Sequence, residues 1–225
     1  ESIKQALGSR VLFLDGAMGT QLYERGVFIN RCYDELNLGQ PDLVRAVHKD
    51  YLKAGADILT TNTFGANRFR LQAFGLDEQR NDIVAAGVRL AKEIAGDKAW
   101  VAGSIGPTGA TLVPVGKLAP GDAYRAFKEQ AAVMAEEGVD LIILETFTSM
   151  EELWQAYRAA RRVAPDLPVS VGPSGLDAAL GLALRYGSPE ALLGTTCHFL
   201  RRLAAEARAR DVQGPLDRLA VIQRF

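Results

Sequence analysis

The chain has 225 residues, 48% of them hydrophobic, and its 26 Lys and Arg nearly balance its 27 Asp and Glu. This composition excludes a disordered acidic chain and a basic nucleic-acid-binding arm, and it provides enough apolar residues for a buried core. No apolar run approaches the ~20 residues that a membrane-spanning helix needs. We therefore predict a globular chain of one large domain or two small ones, with no nucleic acid and no membrane as partner.

Short apolar runs alternate along the chain with segments of helical periodicity. The runs are typical of strands buried on both faces in parallel sheets. They occupy residues 11–14, 58–61, 100–103, 141–144 and 168–171. The segments between them place apolar residues three, four and seven positions apart, which indicates helices. These helices are predicted over residues 41–54, 80–95, 121–137 and 150–163.

The alternation predicts an α/β fold of parallel strands with helical crossovers, either a (β/α)8 TIM-type barrel or an open doubly wound sheet. No glycine-rich dinucleotide motif follows the first strand. Polar residues stand at the ends of four strands instead, which favours a barrel with its site at the carboxyl-terminal mouth. These residues are Asp15, Asn62, Ser104 and Glu145.

The pattern weakens after Val171. A doubtful strand at 179–184 and a helix at 198–210 follow, so strands 6–8 of the barrel are poorly represented. A complete barrel has eight strands, and the predicted barrel is therefore incomplete. We predict a barrel domain over residues 1–210 and a C-terminal tail or linker towards a further module over residues 211–225.

Three features of the strand ends are candidates for substrate binding. After the first strand come Asp15, Gly16, Ala17, Met18, Gly19 and Thr20. The two glycines allow backbone N–H groups to bind a carboxylate or phosphate, and the aspartate is able to hold an ammonium group. An ordinary Asp-Gly turn is the alternative. Asn62 offers an amide at the rim, or simple turn chemistry.

Glu145 ends the most apolar strand of the chain. A carboxylate that enters a buried rim is either functional or paired, and the alternative to a functional role is a salt bridge to an arginine on a helix.

Cys32 and Cys197 form no disulfide framework, which indicates a reduced, cytoplasmic chain. Cys197 and His198 alone are too few for a zinc site, which takes three or four protein ligands.

Four segments, taken together, resemble the homocysteine S-methyltransferase family. Within that family they are most similar to the N-terminal homocysteine-binding module of the cobalamin-dependent methionine synthases. The segments are LDGAMGT (14–20), CYDELNLGQPDLVRAVHKDYLKAGADILTTNTFGA (32–66), VAGSIGPTG (101–109) and EEGVDLIILETF (136–147). As a set they are specific, whereas DGAMGT or NTF alone would be a weak signal.

The resemblance implies a barrel that binds L-homocysteine at its mouth and transfers a methyl group to the substrate thiol, which gives methionine. It implies zinc as the group that binds the sulfur and lowers the pKa of the thiol. The methyl group would come from methylcobalamin on another module, and the partners would be cobalamin- and folate-binding modules of the same larger protein. By the match, Glu145 and the segment Asp15–Thr20 hold the ammonium and carboxylate of homocysteine.

The chain departs from the family at the zinc ligands. The family carries its zinc-binding cysteines after the sixth and eighth strands, and neither motif is intact here. The simplest explanation is that several tens of residues are missing between about 171 and 195. We therefore assign no metal ligand and no catalytic residue.

Two alternatives stay open beside the zinc-dependent reaction. One is a truncated or metal-free homocysteine-binding remnant without catalysis, and the other is a cobalamin-independent homocysteine methyltransferase. A barrel lyase or aldolase is disfavoured, because none of the five predicted strands ends in a lysine.

Overall fold

The structure is a computed structural model that describes residues 1–171 of the chain. Its sheet has four parallel strands, each hydrogen-bonded to the next one in the sequence. The strands are β1 (Ile58–Thr60), β2 (Trp100–Ile105), β3 (Leu141–Leu144) and β4 (Val169–Val171). A doubly wound sheet reverses its strand order at a switch point, whereas the wall of a barrel does not. The described order is therefore that of a barrel wall.

Of the helices in the described part of the chain, four precede β1 and the other four lie between successive strands. Their order is α1 (Ile3–Ser9), α2 (Met18–Glu24), α3 (Leu36–Gly39), α4 (Pro41–Lys53), α5 (Arg68–Gln72), α6 (Arg80–Ala95), α7 (Pro120–Glu136) and α8 (Met150–Val163), with a 3₁₀ turn at Asp77–Gln79. The four helices predicted from periodicity are confirmed within one residue at each end. Pro41 and Pro120 begin two of them, at the position where a helix needs no N–H donor.

The two faces of the sheet belong to different cores. Outward residues such as Leu59, Ile105 and Ile142 pack with the helices in the main hydrophobic core. Inward residues form a second cluster with α1, in which Ile3 and Leu12 take part. The inward strand residues of this cluster are Ile58, Ala102, Leu141 and Ile143. The alternation along each strand therefore separates a helix-covered face from an inner face whose amino-terminal end is closed by α1.

The predicted first strand, residues 11–14, forms only a single parallel bridge, between Leu14 and Ile58. The backbone still runs along β1, because Phe13 O accepts from Ile58 N at 3.1 Å and Asp15 N donates to Ile58 O at 3.0 Å. Among the described residues no strand pairs with its outer edge, and Phe13 is 53% exposed. The predicted strand at 11–14 is therefore confirmed in its position and its parallel direction, but its regular pairing is shorter than predicted.

The predictions beyond residue 171 lie outside the described residues. They are the strand at 179–184, the helix at 198–210, the domain boundary at 210 and the tail at 211–225. In residues 1–171, no helix is both long enough and apolar enough to cross a membrane.

Candidate substrate-binding site

The carboxyl-terminal end of the inner sheet face is polar. Asp15 is buried, and both its oxygens are used by Thr60: Oδ2 accepts from the Thr60 N–H at 2.8 Å and Oδ1 accepts from Thr60 Oγ1 at 2.8 Å. One strand further along, Ser104 Oγ donates to Glu145 Oε1 at 2.5 Å. Two carboxyl groups thus face the same cavity from non-adjacent strand ends, each held by a hydroxyl group.

Burial raises the pKa values of both carboxyl groups. The pKa of Asp15 rises to about 7, chiefly because burial removes water from the carboxylate, and the nearby Glu145 adds to the rise while the Thr60 hydrogen bonds oppose it. Burial also raises the pKa of Glu145, against the hydrogen bond from Ser104. A cation between the two groups would relieve both shifts, because an opposite charge favours the ionised forms. The pair is therefore suited to bind an ammonium group.

The segment Asp15–Thr20 lines the same cavity. Helix α2 begins at Met18, and within residues 1–171 the N–H groups of Met18, Gly19 and Thr20 have no backbone acceptor. Such first-turn N–H groups are free to bind an anion. Gly16 leaves room for Tyr51, because a Cβ at residue 16 would lie 2.7 Å from the tyrosine hydroxyl oxygen and would displace the ring. The carboxyl pair and these donors together match the ammonium and carboxylate of an amino acid.

Asn62 lies at the cavity but is mainly engaged in holding the rim. Its Nδ2 donates to Tyr33 O at 2.7 Å and to Asn37 Oδ1 at 3.0 Å. Both amide hydrogens are thus used by the segment before α4, which leaves only the side-chain oxygen for a substrate. Substrate binding by Asn62 stays a prediction, with this restriction.

An aromatic and cationic rim lies beyond the strand ends. The Arg70 guanidinium stacks over the Phe64 ring, 5.2 Å from its centroid, and both line the cavity. Gly106 leaves room for Phe64, since a Cβ there would lie 2.3 Å from the ring. Asp34 accepts from Gly65 N at 2.9 Å and is near Arg70; burial raises its pKa to about 6. These contacts fix the loops that follow β1 and β2 against each other.

Asp15–Thr20, Asn62, Ser104 and Glu145 were predicted from the sequence, whereas the partners that orient them were not. Thr60 is the clearest omission, because it takes both hydrogen bonds of Asp15. The alternation of side chains between the two faces of β1 could have revealed this role, because it places Thr60 on the same inner face as Ile58. Tyr51 was missed as well; it lies in α4, and its hydroxyl donates to Ala17 O at 3.2 Å.

Residues 1–171 contain no group of three His, Cys, Asp or Glu side chains arranged to hold a metal ion. Cys32 is buried and is the only cysteine in that part of the chain, and burial raises the pKa of its thiol. Cys197 lies outside the described residues.

Comparisons with known proteins identify the family of this chain. A model of the homocysteine S-methyltransferase family matches residues 12–205. The methionine synthases of Mycobacterium tuberculosis and Mycobacterium leprae are each 30% identical to this chain, over 90% and 91% of its length. The chain spans only 20% of the length of either relative.

Solved structures of the homocysteine methyltransferase MmuM from Escherichia coli share the fold. The metallated form aligns with a TM-score of 0.66 at 24% identity, over 82% of this chain and 74% of that chain. The apo form aligns with a TM-score of 0.56 at 26% identity, over 72% of this chain and 59% of that chain. The fold is therefore an α/β barrel of this type, incomplete in residues 1–171.

Proposed function

We propose that this chain, which belongs to the homocysteine S-methyltransferase family, binds L-homocysteine at the mouth of the sheet and presents its thiol for methylation. The observation that carries the proposal is the pair of buried carboxyl groups, Asp15 and Glu145, in a cavity that residues 18–20 also line. The carboxyl pair would take the ammonium group and the N–H groups the carboxylate. The side chain with its thiol would then extend into the open part of the cavity.

In the proposed reaction the substrate sulfur forms a bond to the methyl carbon, the bond between that carbon and its donor breaks, and the thiol proton is lost. The product is methionine. We propose methylcobalamin on another module as the donor, with cobalamin- and folate-binding modules as partners in a longer protein. The support is that this chain spans a fifth of the length of relatives named methionine synthase. A cobalamin-independent homocysteine methyltransferase stays the alternative, since the solved relative is named a homocysteine methyltransferase and not a methionine synthase.

Zinc, which the family implies, finds no set of ligands among residues 1–171. A catalytic zinc site takes three protein ligands and a structural site four. The whole chain has two cysteines and two histidines, and residues 1–171 contain no metal-binding group. We therefore derive no step through a metal.

The mismatch at the zinc ligands favours a second candidate function, a homocysteine-binding protein without catalysis. The alignment with the mycobacterial enzyme extends over 235 residues yet takes in 90% of this 225-residue chain, so the relative has segments that this chain lacks.

A cytoplasmic location is also proposed, on the chemistry of two cysteines that form no disulfide framework.

Calorimetric titration of L-homocysteine tests the proposed function. We expect saturable binding by the wild-type chain and a loss of about 10- to 150-fold in affinity for Glu145→Ala, because a hydrogen bond to a charged group contributes about 1.5–3 kcal/mol. Glu93→Gln, on the surface of α6, is the matched control and should bind normally. No binding by the wild type, or unchanged affinity of a folded Glu145→Ala, contradicts the proposal.

A methyl-transfer assay then separates the two candidate functions. Purified chain is incubated with L-homocysteine and methylcobalamin, after zinc analysis of the same sample. One bound zinc per chain together with methionine formation supports the enzyme. Homocysteine binding without zinc and without methionine supports the binding protein.

A further inference from the structure

Glu152 is a buried carboxylate that the proposed substrate contacts do not use. It lies in the first turn of α8 and is 4% exposed. Its Oε1 accepts from Thr108 N at 2.7 Å and from Thr108 Oγ1 at 2.5 Å. Thr108 and the two residues after it line the cavity, in the loop that follows β2. The carboxylate therefore ties the start of α8 to the rim.

The local sequence would direct Glu152 elsewhere. Ser149 is the N-cap of α8 and its Oγ accepts from Glu152 N at 3.3 Å, which is one half of a capping box. In a complete capping box the glutamate side chain returns to the N–H of the N-cap residue. Here it binds instead a loop 44 residues earlier in the chain. The helix gives up one local hydrogen bond, and the rim gains two.

Glu145 stands at the other end of the short segment that leads into α8. Its N–H donates to Ile105 O at 3.1 Å, which continues the pairing of β3 with β2. The next residue, Thr146, has a positive φ of 62°. A non-glycine residue keeps such a conformation only where its surroundings fix it. Phe147 provides one anchor, because it is 1% exposed and packs edge-on against Phe127.

We propose that Glu152 is a positioning residue, which aims the Glu145 carboxylate at the substrate ammonium by locking the segment 145–149 to the loop after β2. Ser104, the hydroxyl donor to Glu145, belongs to the strand that leads into the same loop. Glu152 thus fixes the carboxylate and its donor relative to each other. The inference rests on the proposed function, since it takes homocysteine as the ligand.

The test compares two ligands by calorimetry: L-homocysteine and 4-mercaptobutanoate, which is homocysteine without its amino group. Wild-type chain should prefer homocysteine, because only homocysteine offers an ammonium to Glu145. Glu152→Ala should weaken homocysteine binding about tenfold and leave 4-mercaptobutanoate binding nearly unchanged, so that the preference shrinks. Glu152→Gln keeps an oxygen acceptor for Thr108 and should restore most of the preference.

Two further variants make the outcomes separable. Glu151→Ala removes a neighbouring carboxylate on the exposed side of α8 and should leave the preference intact. If Glu152→Ala does not fold, Thr108→Val removes one of the two donors and should reduce the preference in part. A folded Glu152→Ala with the wild-type preference, equal loss for both ligands, or equal loss in Glu152→Gln overturns the inference. No homocysteine binding by the wild type overturns the proposed function instead.

Discussion

The inner face of the sheet is built differently at its two ends. At the amino-terminal end, α1 covers apolar strand residues, and Ile3, Leu12 and Leu141 belong to one buried cluster. At the carboxyl-terminal end, buried carboxyl groups face a cavity, with raised pKa values. The first end gains stability by removing apolar surface from water. The second gives up some stability for a polar site, so substitutions at the two ends should separate folding from ligand binding.

The largest expected effect is at the closed end. Leu141→Ala removes a side chain that is 4% exposed beneath α1. The free energy of unfolding should fall by about 2–5 kcal/mol in denaturant titration, because lost burial and a residual cavity add together. Homocysteine affinity of the folded fraction should stay unchanged. The control is Val115→Ala, at an 88% exposed position. A large loss of homocysteine affinity in Leu141→Ala would contradict the separation of folding from ligand binding.

The next effect is at the mouth and depends on pH. The pKa of Asp15 is raised to about 7 by burial, with Glu145 close by and Tyr51 near it. Binding an ammonium requires the ionised carboxylate, so the protonated fraction of Asp15, which grows as the pH falls below about 7, must lose its proton on binding. Homocysteine affinity should therefore rise between pH 6 and pH 8, by up to about tenfold per unit on the acid side.

Calorimetry at pH 6, 7 and 8, in buffers of different ionisation enthalpy, measures both the affinity and the proton released. Asp15→Asn should bind weakly at every pH and without this dependence. A wild-type affinity that does not change with pH would contradict the assignment of Asp15 to the ammonium.

The smallest effect is again at the closed end. Ser2 caps α1, and its Oγ accepts from Gln5 N at 3.3 Å in a complete capping box. Ser2→Ala should lower the free energy of unfolding by about 1 kcal/mol, because a first-turn N–H loses its acceptor. Ser2→Thr keeps the cap and serves as the control. Equal unfolding midpoints for wild type and Ser2→Ala would show that α1 does not contribute to closing this end.

Local sequence was a good guide to the long elements and a poor guide to the short ones. Periodicity predicted α4, α6, α7 and α8, because each has a continuous apolar face that packs in the core. It did not predict α1, which has only seven residues, of which Ile3 and Ala6 are buried. The strand predicted over residues 11–14 is longer than the observed pairing, because an apolar run does not reveal whether a partner strand lies beside it.

The candidate site shows the same division. Asp15 and Glu145 were predicted from their place after apolar strands, and the structure brings both to one cavity. The roles of Thr60 and Glu152 were not predicted, since their partners lie 45 and 44 residues away in the chain. For Glu152 the local motif even indicated a different partner.

The sequence by itself determined the order of strands and helices, the polar strand ends and the family resemblance, since each depends on side-chain pattern over a few turns or strands. The tertiary structure decided which face each strand residue presents, which end α1 closes and which hydroxyl groups hold the two carboxyl groups. Those contacts join residues some 40 positions apart. They form only when the parallel strands align in register, because that register brings separate strand ends to one edge.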